Sequence, residues 1–257
     1  MALFKKKQSS SSKKRFTLFD DNVPFQVTEA YKTLRTNIVM ALATQRSKTF
    51  AVSSANAGEG KSTTAANLAI VFSQAGKKVL LIDADLRKPV QHRAFKVKND
   101  KGLSTLLGGI DSFKQVLKSK TANLDLITSG PIPPNPSEML ASENMKILLD
   151  ELVKYYDYVI LDTPPINVVT DTLTLSPNIG GIAMVTRSGI ATYDEISRAA
   201  SSIEFANGKL LGVIVTAINE DATTYKRGYY KKYYRRDYAY RASSYDPSVR
   251  QSDSDDD

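Results

Sequence analysis

The chain has 257 residues, a formal net charge of +8 and no cysteine, which excludes disulfides and any thiolate metal site. No apolar run approaches the ~20 residues that a bilayer-spanning helix needs, and Lys5, Lys6 and Lys7 lead into serines rather than the apolar core of a signal peptide. The expectation is an intracellular protein of one or two domains, on a prior of roughly 150 residues per domain.

The positive charge gathers at the ends. Lys5, Lys6, Lys7, Lys13, Lys14 and Arg15 crowd one; Lys226, Arg227, Lys231, Lys232, Arg235, Arg236 and Arg241 crowd the other, before Asp253 and Asp255 to Asp257 reverse the sign. Such tails either solvate the chain or meet an acidic partner such as a membrane surface, nucleic acid or an anionic polymer.

Residues 1–24 read as a flexible basic arm, because serines and lysines offer nothing to bury. Ala30, Leu34, Ile38 and Leu42 then recur at four-residue steps, predicting an amphipathic helix with Thr28 as its N-cap. Strands and helices alternate from there. Phe50–Ser54 reads as a strand, and Ser62–Gln74 as a helix closed by Gly76. Val79–Asp83 is an apolar run ending in an acid, suited to a strand buried on both faces. Leu124–Thr128 is a weaker strand, followed by a proline-stiffened loop and a helix from Ser137 to Tyr155. Tyr158–Asp162 and Ile182–Thr186 are further strands. Thr192 and Glu195 form a capping box for a helix that stops at Asn207-Gly208, and Leu211–Val215 is the last strand. This alternation predicts an α/β fold, a mainly parallel sheet with helices on both faces, spanning residues 25–221. Residues 222–257 hold a tyrosine-rich tail without apolar period.

The strongest chemical signal is Ala55-Asn56-Ala57-Gly58-Glu59-Gly60-Lys61-Ser62, a phosphate-loop pattern between a strand and a helix. Its glycines let successive N–H groups turn inward as an anion nest, and the helix that follows presents its positive end. Ala57, Gly58, Glu59, Gly60, Lys61, Ser62 and Thr63 are thus the candidate nucleotide-binding residues. Lys61 can reach the β- and γ-phosphates, and the Ser62 hydroxyl is a hard ligand for Mg²⁺. ATP with Mg²⁺ is the expected ligand.

Two acidic motifs accompany the loop. In Asp83-Ala84-Asp85-Leu86-Arg87, one carboxylate can hold a metal-bound water and the other can accept a proton from an attacking hydroxyl, while Arg87 can oppose phosphate charge. In Val159-Ile160-Leu161-Asp162-Thr163-Pro164-Pro165, an acid ends an apolar strand, the Walker-B arrangement that helps hold Mg²⁺. The candidate catalytic set is Lys61, Asp83, Asp85 and Asp162, with Ser62, Asp85 and Asp162 toward the metal. The bland alternative for each acid is a helix cap. His92, the sole histidine, is read as structural rather than functional.

With Ser53-Ser54, Gly58 to Ser62, Asp83 to Pro89, Gly102-Leu103-Ser104, Pro134 to Glu138 and Asp162 to Pro165, the chain resembles the bacterial tyrosine kinases of capsule and exopolysaccharide systems, specifically their separate cytoplasmic kinase subunit. The resemblance spans about Glu29 to Asn219. It implies a phosphate-loop NTPase fold in which Lys61 and Ser62 hold phosphate and Mg²⁺. Asp83 would act as base toward a tyrosine hydroxyl, assisted by Asp85 and Asp162. It further implies autophosphorylation, between subunits, of Tyr225, Tyr229, Tyr230, Tyr233, Tyr234, Tyr238, Tyr240 and Tyr245. A ring of copies would form through Glu29, Lys32 and Arg35. A transmembrane activator would hold the kinase at the inner face of the membrane, and a cognate protein-tyrosine phosphatase and other tyrosine substrates complete the implied partners. Three departures stand out: Ala57 where the family has proline, Lys32 where its ring helix has arginine, and Thr216 where an adenine-reading asparagine is expected.

Two rival functions share these motifs. A positioning ATPase of the same superfamily typically has an extra lysine early in the loop, absent from Ala55-Asn56-Ala57, and has no tyrosine tail. An assembly scaffold would bind ATP without transferring phosphate. Aromatic–basic interleaving in the tail also suits single-stranded nucleic acid, but an acceptor role ranks higher and no nucleic-acid partner is expected.

Overall fold

The structure is a computed structural model that describes residue 18 and residues 23–45 and 47–218. The tyrosine tail with its acceptor candidates, Asn219 and nearly all of the basic arm lie outside the described residues.

Helix α1 (Phe25–Leu42) starts one turn earlier than its apolar spacing suggested. Pro24, at φ −56°, accepts from the N–H groups of Val27 and Thr28 at 2.9 and 3.3 Å. Proline pre-sets that geometry at no hydrogen-bonding cost, so Thr28 lies in the first turn rather than capping it. Ile38 and Leu42 are buried and Leu34 packs inward as expected, but Tyr31 takes the inward place and Ala30 is exposed.

The elements that follow are β1 (Thr49–Ser54), α2 (Lys61–Gln74), β2 (Val79–Asp83), and three short helices, α3 (Gln91–Ala94), α4 (Leu103–Leu107) and α5 (Phe113–Val116). Next come β3 (Leu117–Thr121), β4 (Leu124–Ile127), α6 (Pro136–Leu140), α7 (Glu143–Leu152) and β5 (Tyr158–Asp162). The chain closes with α8 (Asp171–Thr174), β6 (Ile182–Arg187), α9 (Tyr193–Phe205) and β7 (Leu210–Thr216). The strands form one seven-stranded sheet in the order β3-β4-β2-β5-β1-β6-β7. Every pairing is parallel except β3 with β4. The edge strand β3 escapes sequence reading because Leu-Lys-Ser-Lys-Thr lacks alternation; its lysines are a common guard on a sheet edge.

Two apolar cores sit on opposite faces of the sheet. β2 sends Leu80 and Ile82 to one and Val79 and Leu81 to the other; β5 divides Val159 and Leu161 from Tyr158 and Ile160 in the same way. Each fully buried Leu or Ile contributes roughly 1.5–3 kcal/mol of transfer free energy, which is why these strands read as continuous apolar runs. α2 is buried from Thr64 to Ser73, packed on the sheet with α1 against it. One expected helix is two: Ser142 turns extended (φ −68°, ψ 155°) between α6 and α7 and accepts from the Met145 N–H, while Ser137 falls inside α6.

Candidate nucleotide and phosphoryl-transfer site

The carboxyl end of β1 runs straight into the phosphate loop. Gly58 and Gly60 stand at φ +84° and +99°, a region costly for any residue with a Cβ. Gly60 opens α2, accepting from the Thr64 N–H at 2.9 Å, and the first turn of the helix carries no acid to neutralise its positive end. Glu59 points the other way. Its carboxylate is buried and accepts from the Asn56 N–H at 2.6 Å and the Thr186 hydroxyl at 3.3 Å. The Glu59 side chain therefore braces the loop. Thr216 braces it too, its hydroxyl 2.9 Å from the Glu59 carbonyl and 3.2 Å from that of Thr186. Ala57 is exposed at the tip, and Ser62 and Thr63 are half-buried in the first turn of the helix.

The two acidic motifs converge on Lys61. Parallel pairing of β2 with β5 sets Asp83 directly beside Asp162. Both are fully buried. The Lys61 ammonium lies 2.7 Å from Asp85 Oδ2 and 3.6 Å from Asp162 Oδ1. Burial opposes its charge, yet Asp162, Asp85 and Asp83 outweigh that and hold it above the usual lysine value. Burial, then the charge of Asp162, pushes Asp83 well above the usual carboxylate range, against the Gln91 N–H that favours the ionised form. Burial likewise raises Asp162, against the Lys61 charge and the Gln91 carboxamide.

Asp83 and Asp162 each take their hydrogen bonds on one oxygen. Asp83 Oδ2 accepts from the N–H groups of Val90 and Gln91 at 3.0 and 2.9 Å. Asp162 Oδ2 accepts from Gln91 Nε2 at 2.8 Å. The Oδ1 atoms of both are buried without a hydrogen-bond partner. Asp85 differs: Oδ2 meets Lys61 and Oδ1 accepts from the Lys88 N–H at 2.9 Å. Among the described residues no three His, Cys, Asp or Glu side chains form a metal cluster. Mg²⁺ is commonly bound by one or two carboxylates plus phosphate oxygens rather than by an all-protein cage. Asp162 Oδ1, which takes no hydrogen bond and faces the Lys61 ammonium at 3.6 Å, and the Ser62 hydroxyl fit such an ion.

Arg87 stands apart from the loop residues. Its fork grips the buried Asp171, Nε to Oδ2 at 2.9 Å and Nη2 to Oδ1 at 3.0 Å, and Nη2 also donates to Ser137 at 2.9 Å. Ser137 in turn donates to Asp171 at 2.6 Å. Sequence reasoning missed Asp171, which reads as an ordinary helix-start acid, and Gln91, whose neutral side chain carries no local signal. Glu29 and Lys32 pair with each other at 2.8 Å on the exposed side of α1, while Arg35 donates to the Val71 carbonyl at 2.9 Å. The His92 ring is lowered in pKa by burial and by Arg93, with Nδ1 buried and unpartnered.

Comparison with known proteins agrees with this geometry. Residues 47–179 match the model of the AAA domain family. The tyrosine-protein kinase YwqD of Bacillus subtilis strain 168 is 48% identical over 188 residues, covering 73% of this chain and 79% of that protein. The crystal structure of the chimerical protein CapA2B2 superposes with a TM-score of 0.72 at 40% identity, over 75% of this chain and 85% of the other. The septum site-determining protein MinD of Pyrococcus horikoshii, complexed with Mg-ADP, shares only the fold, at 19% identity and a TM-score of 0.57 over 68% of this chain and 72% of its own. With a nucleotide-binding phosphate loop, paired strand-end acids and a relative this similar, the chain belongs to the bacterial tyrosine-protein kinase family within the AAA-domain proteins.

Proposed function

We propose that this chain is a protein-tyrosine kinase that transfers the γ-phosphoryl group of Mg·ATP to the tyrosine cluster Tyr225–Tyr245 of a neighbouring copy, and through it regulates capsular or exopolysaccharide synthesis and export. The observation that carries the reading is the register of Asp83 on Asp162 beside Lys61, each acid with one buried oxygen that takes no hydrogen bond, that of Asp162 facing the Lys61 ammonium at 3.6 Å. Generic phosphate binding needs only the loop. A second, basic carboxylate in the same pocket suits proton removal from an attacking hydroxyl.

The division of labour follows from the contacts. The loop N–H groups and Lys61 cradle the phosphates and follow charge as it moves to the leaving oxygens. Ser62 and Asp162 would hold Mg²⁺, with Asp85 assisting from its place on Lys61, and the ion would supply neutralisation of phosphate charge. Asp83, fixed through Oδ2 and made more basic by burial, receives the tyrosine proton on Oδ1. No helix among the described residues is long and apolar enough to cross a membrane. A transmembrane activator at the inner face, a ring built on α1 and a phosphatase that resets the tail belong to the same reading.

The test is to incubate the full chain, with the cytoplasmic fragment of its activator, in Mg·ATP and to map phosphotyrosine by mass spectrometry. Phosphate on residues 225–245 is the expected result. Vigorous ATP turnover with an unmodified tail would mean a positioning ATPase; nucleotide binding with neither would mean a scaffold.

A further inference from the structure

Gln91 has no part in the phosphate-loop or strand-end motifs, yet it touches all three. Its side chain is fully buried. Nε2 uses both hydrogens, one toward the Ser62 carbonyl at 2.9 Å and one toward Asp162 Oδ2 at 2.8 Å. Its backbone N–H holds Asp83 Oδ2 at 2.9 Å. One residue thus ties the first turn of α2 to the ends of β2 and β5.

The consequence is a choice of oxygen. With Oδ2 hydrogen-bonded, Asp162 presents Oδ1, already 3.6 Å from Lys61, to a cation, and Asp83 presents Oδ1 to a proton. Without the carboxamide, Asp162 is free to rotate, to turn Oδ2 toward Lys61, or to draw it away from Ser62. A carboxamide donor is also the right chemistry. It holds a carboxylate without adding charge to a pocket where Lys61 already faces three acids, and it leaves the electrostatics to the ligand.

We propose that Gln91 is a positioning residue that sets the orientation of Asp162 and Ser62, and thereby how much Mg²⁺ tightens nucleotide binding. The proposal rests on the Mg-nucleotide reading of this site but not on tyrosine as the acceptor. The Oε1 atom of Gln91 is buried without a partner, so the amide places its donors at the expense of an unsatisfied acceptor that an apolar isostere would avoid.

The experiment measures affinity for a fluorescent methylanthraniloyl-ADP with and without Mg²⁺, on wild type, Gln91→Met and Gln91→Asn. Methionine matches the length without a donor; asparagine keeps the donor but falls a methylene short of its partners. Both variants are expected to lose fivefold or more of the gain that Mg²⁺ confers, taken as the ratio of affinities with and without the ion. A merely structural role would move melting temperature and leave the Mg²⁺ gain intact. A gain within twofold of wild type in whichever variant folds overturns the proposal, as does a wild type indifferent to Mg²⁺. Phosphotyrosine is read in parallel. Wild type with a Mg²⁺ gain but no labelling would sink the kinase reading while leaving the role of Gln91 standing.

Discussion

Replacing Arg87 by alanine separates two roles that its position after Asp83-Ala84-Asp85 allows. As a phosphate contact, its loss would weaken nucleotide binding. As a staple between the turn after β2 and the start of α8, its loss would weaken the fold first. The geometry favours the staple: two parallel contacts of 2.9 and 3.0 Å commit the guanidinium fork to Asp171. The magnitude follows from an asymmetry in burial. Asp171 is fully buried, whereas the Arg87 side chain is 40% exposed. Stripping the partner from a fully buried pair costs about 3–5 kcal/mol; an exposed pair is worth only ~0.2–1 kcal/mol. Solvent screening of the arginine puts Arg87→Ala between these, at about 1–3 kcal/mol, or a melting-temperature fall of roughly 2–12 °C for a domain of this size. Most of that loss is the stranded charge on Asp171. Adding Asp171→Asn to Arg87→Ala should therefore recover about half of it or more, because removing both charges leaves little to compensate. Urea unfolding of the single and double variants measures this directly. An unchanged unfolding midpoint for Arg87→Ala, with a tenfold or greater loss of ADP affinity, would refute the staple and return Arg87 to the phosphates.

Asp83→Asn should retain nucleotide binding while lowering tyrosine labelling by roughly 10²–10⁴-fold, the span expected of a lost general base; equal loss of both would remove Asp83 from that role. Replacing Glu29, Lys32 and Arg35 together by alanine should shift assembled protein to monomer on a sizing column. The stability cost should be only about 1 kcal/mol, chiefly from the Arg35 hydrogen bond to Val71, so oligomers that persist would place the contact elsewhere.

The parts of the fold that were legible share one property: their chemistry is local. Val79–Asp83 and Tyr158–Asp162 announce themselves because a strand buried on both faces must be apolar at every step and can afford an acid only where it ends. The phosphate loop is legible for a similar reason, since glycine at φ +84° and +99° is a requirement of the turn itself. Gly76 and the Thr192–Glu195 box likewise mark helix ends with nearby atoms alone.

What stayed hidden depends on register between distant segments. Nothing in either strand says that β2 lies beside β5 rather than β1, yet that pairing turns two strand-end acids into one pocket. Ser137 looked like a cap because serine before an apolar run usually is one; its hydroxyl instead serves Asp171, 34 positions away. Gln91 is the sharpest case. Its donors find carboxylates 8 and 71 positions distant, so its meaning exists only after the sheet has been ordered. A neutral residue buried against acids is therefore the kind most easily passed over in a sequence. In a pocket crowded with charge it is also the kind best placed to orient the acids without shifting the balance that the nucleotide must meet.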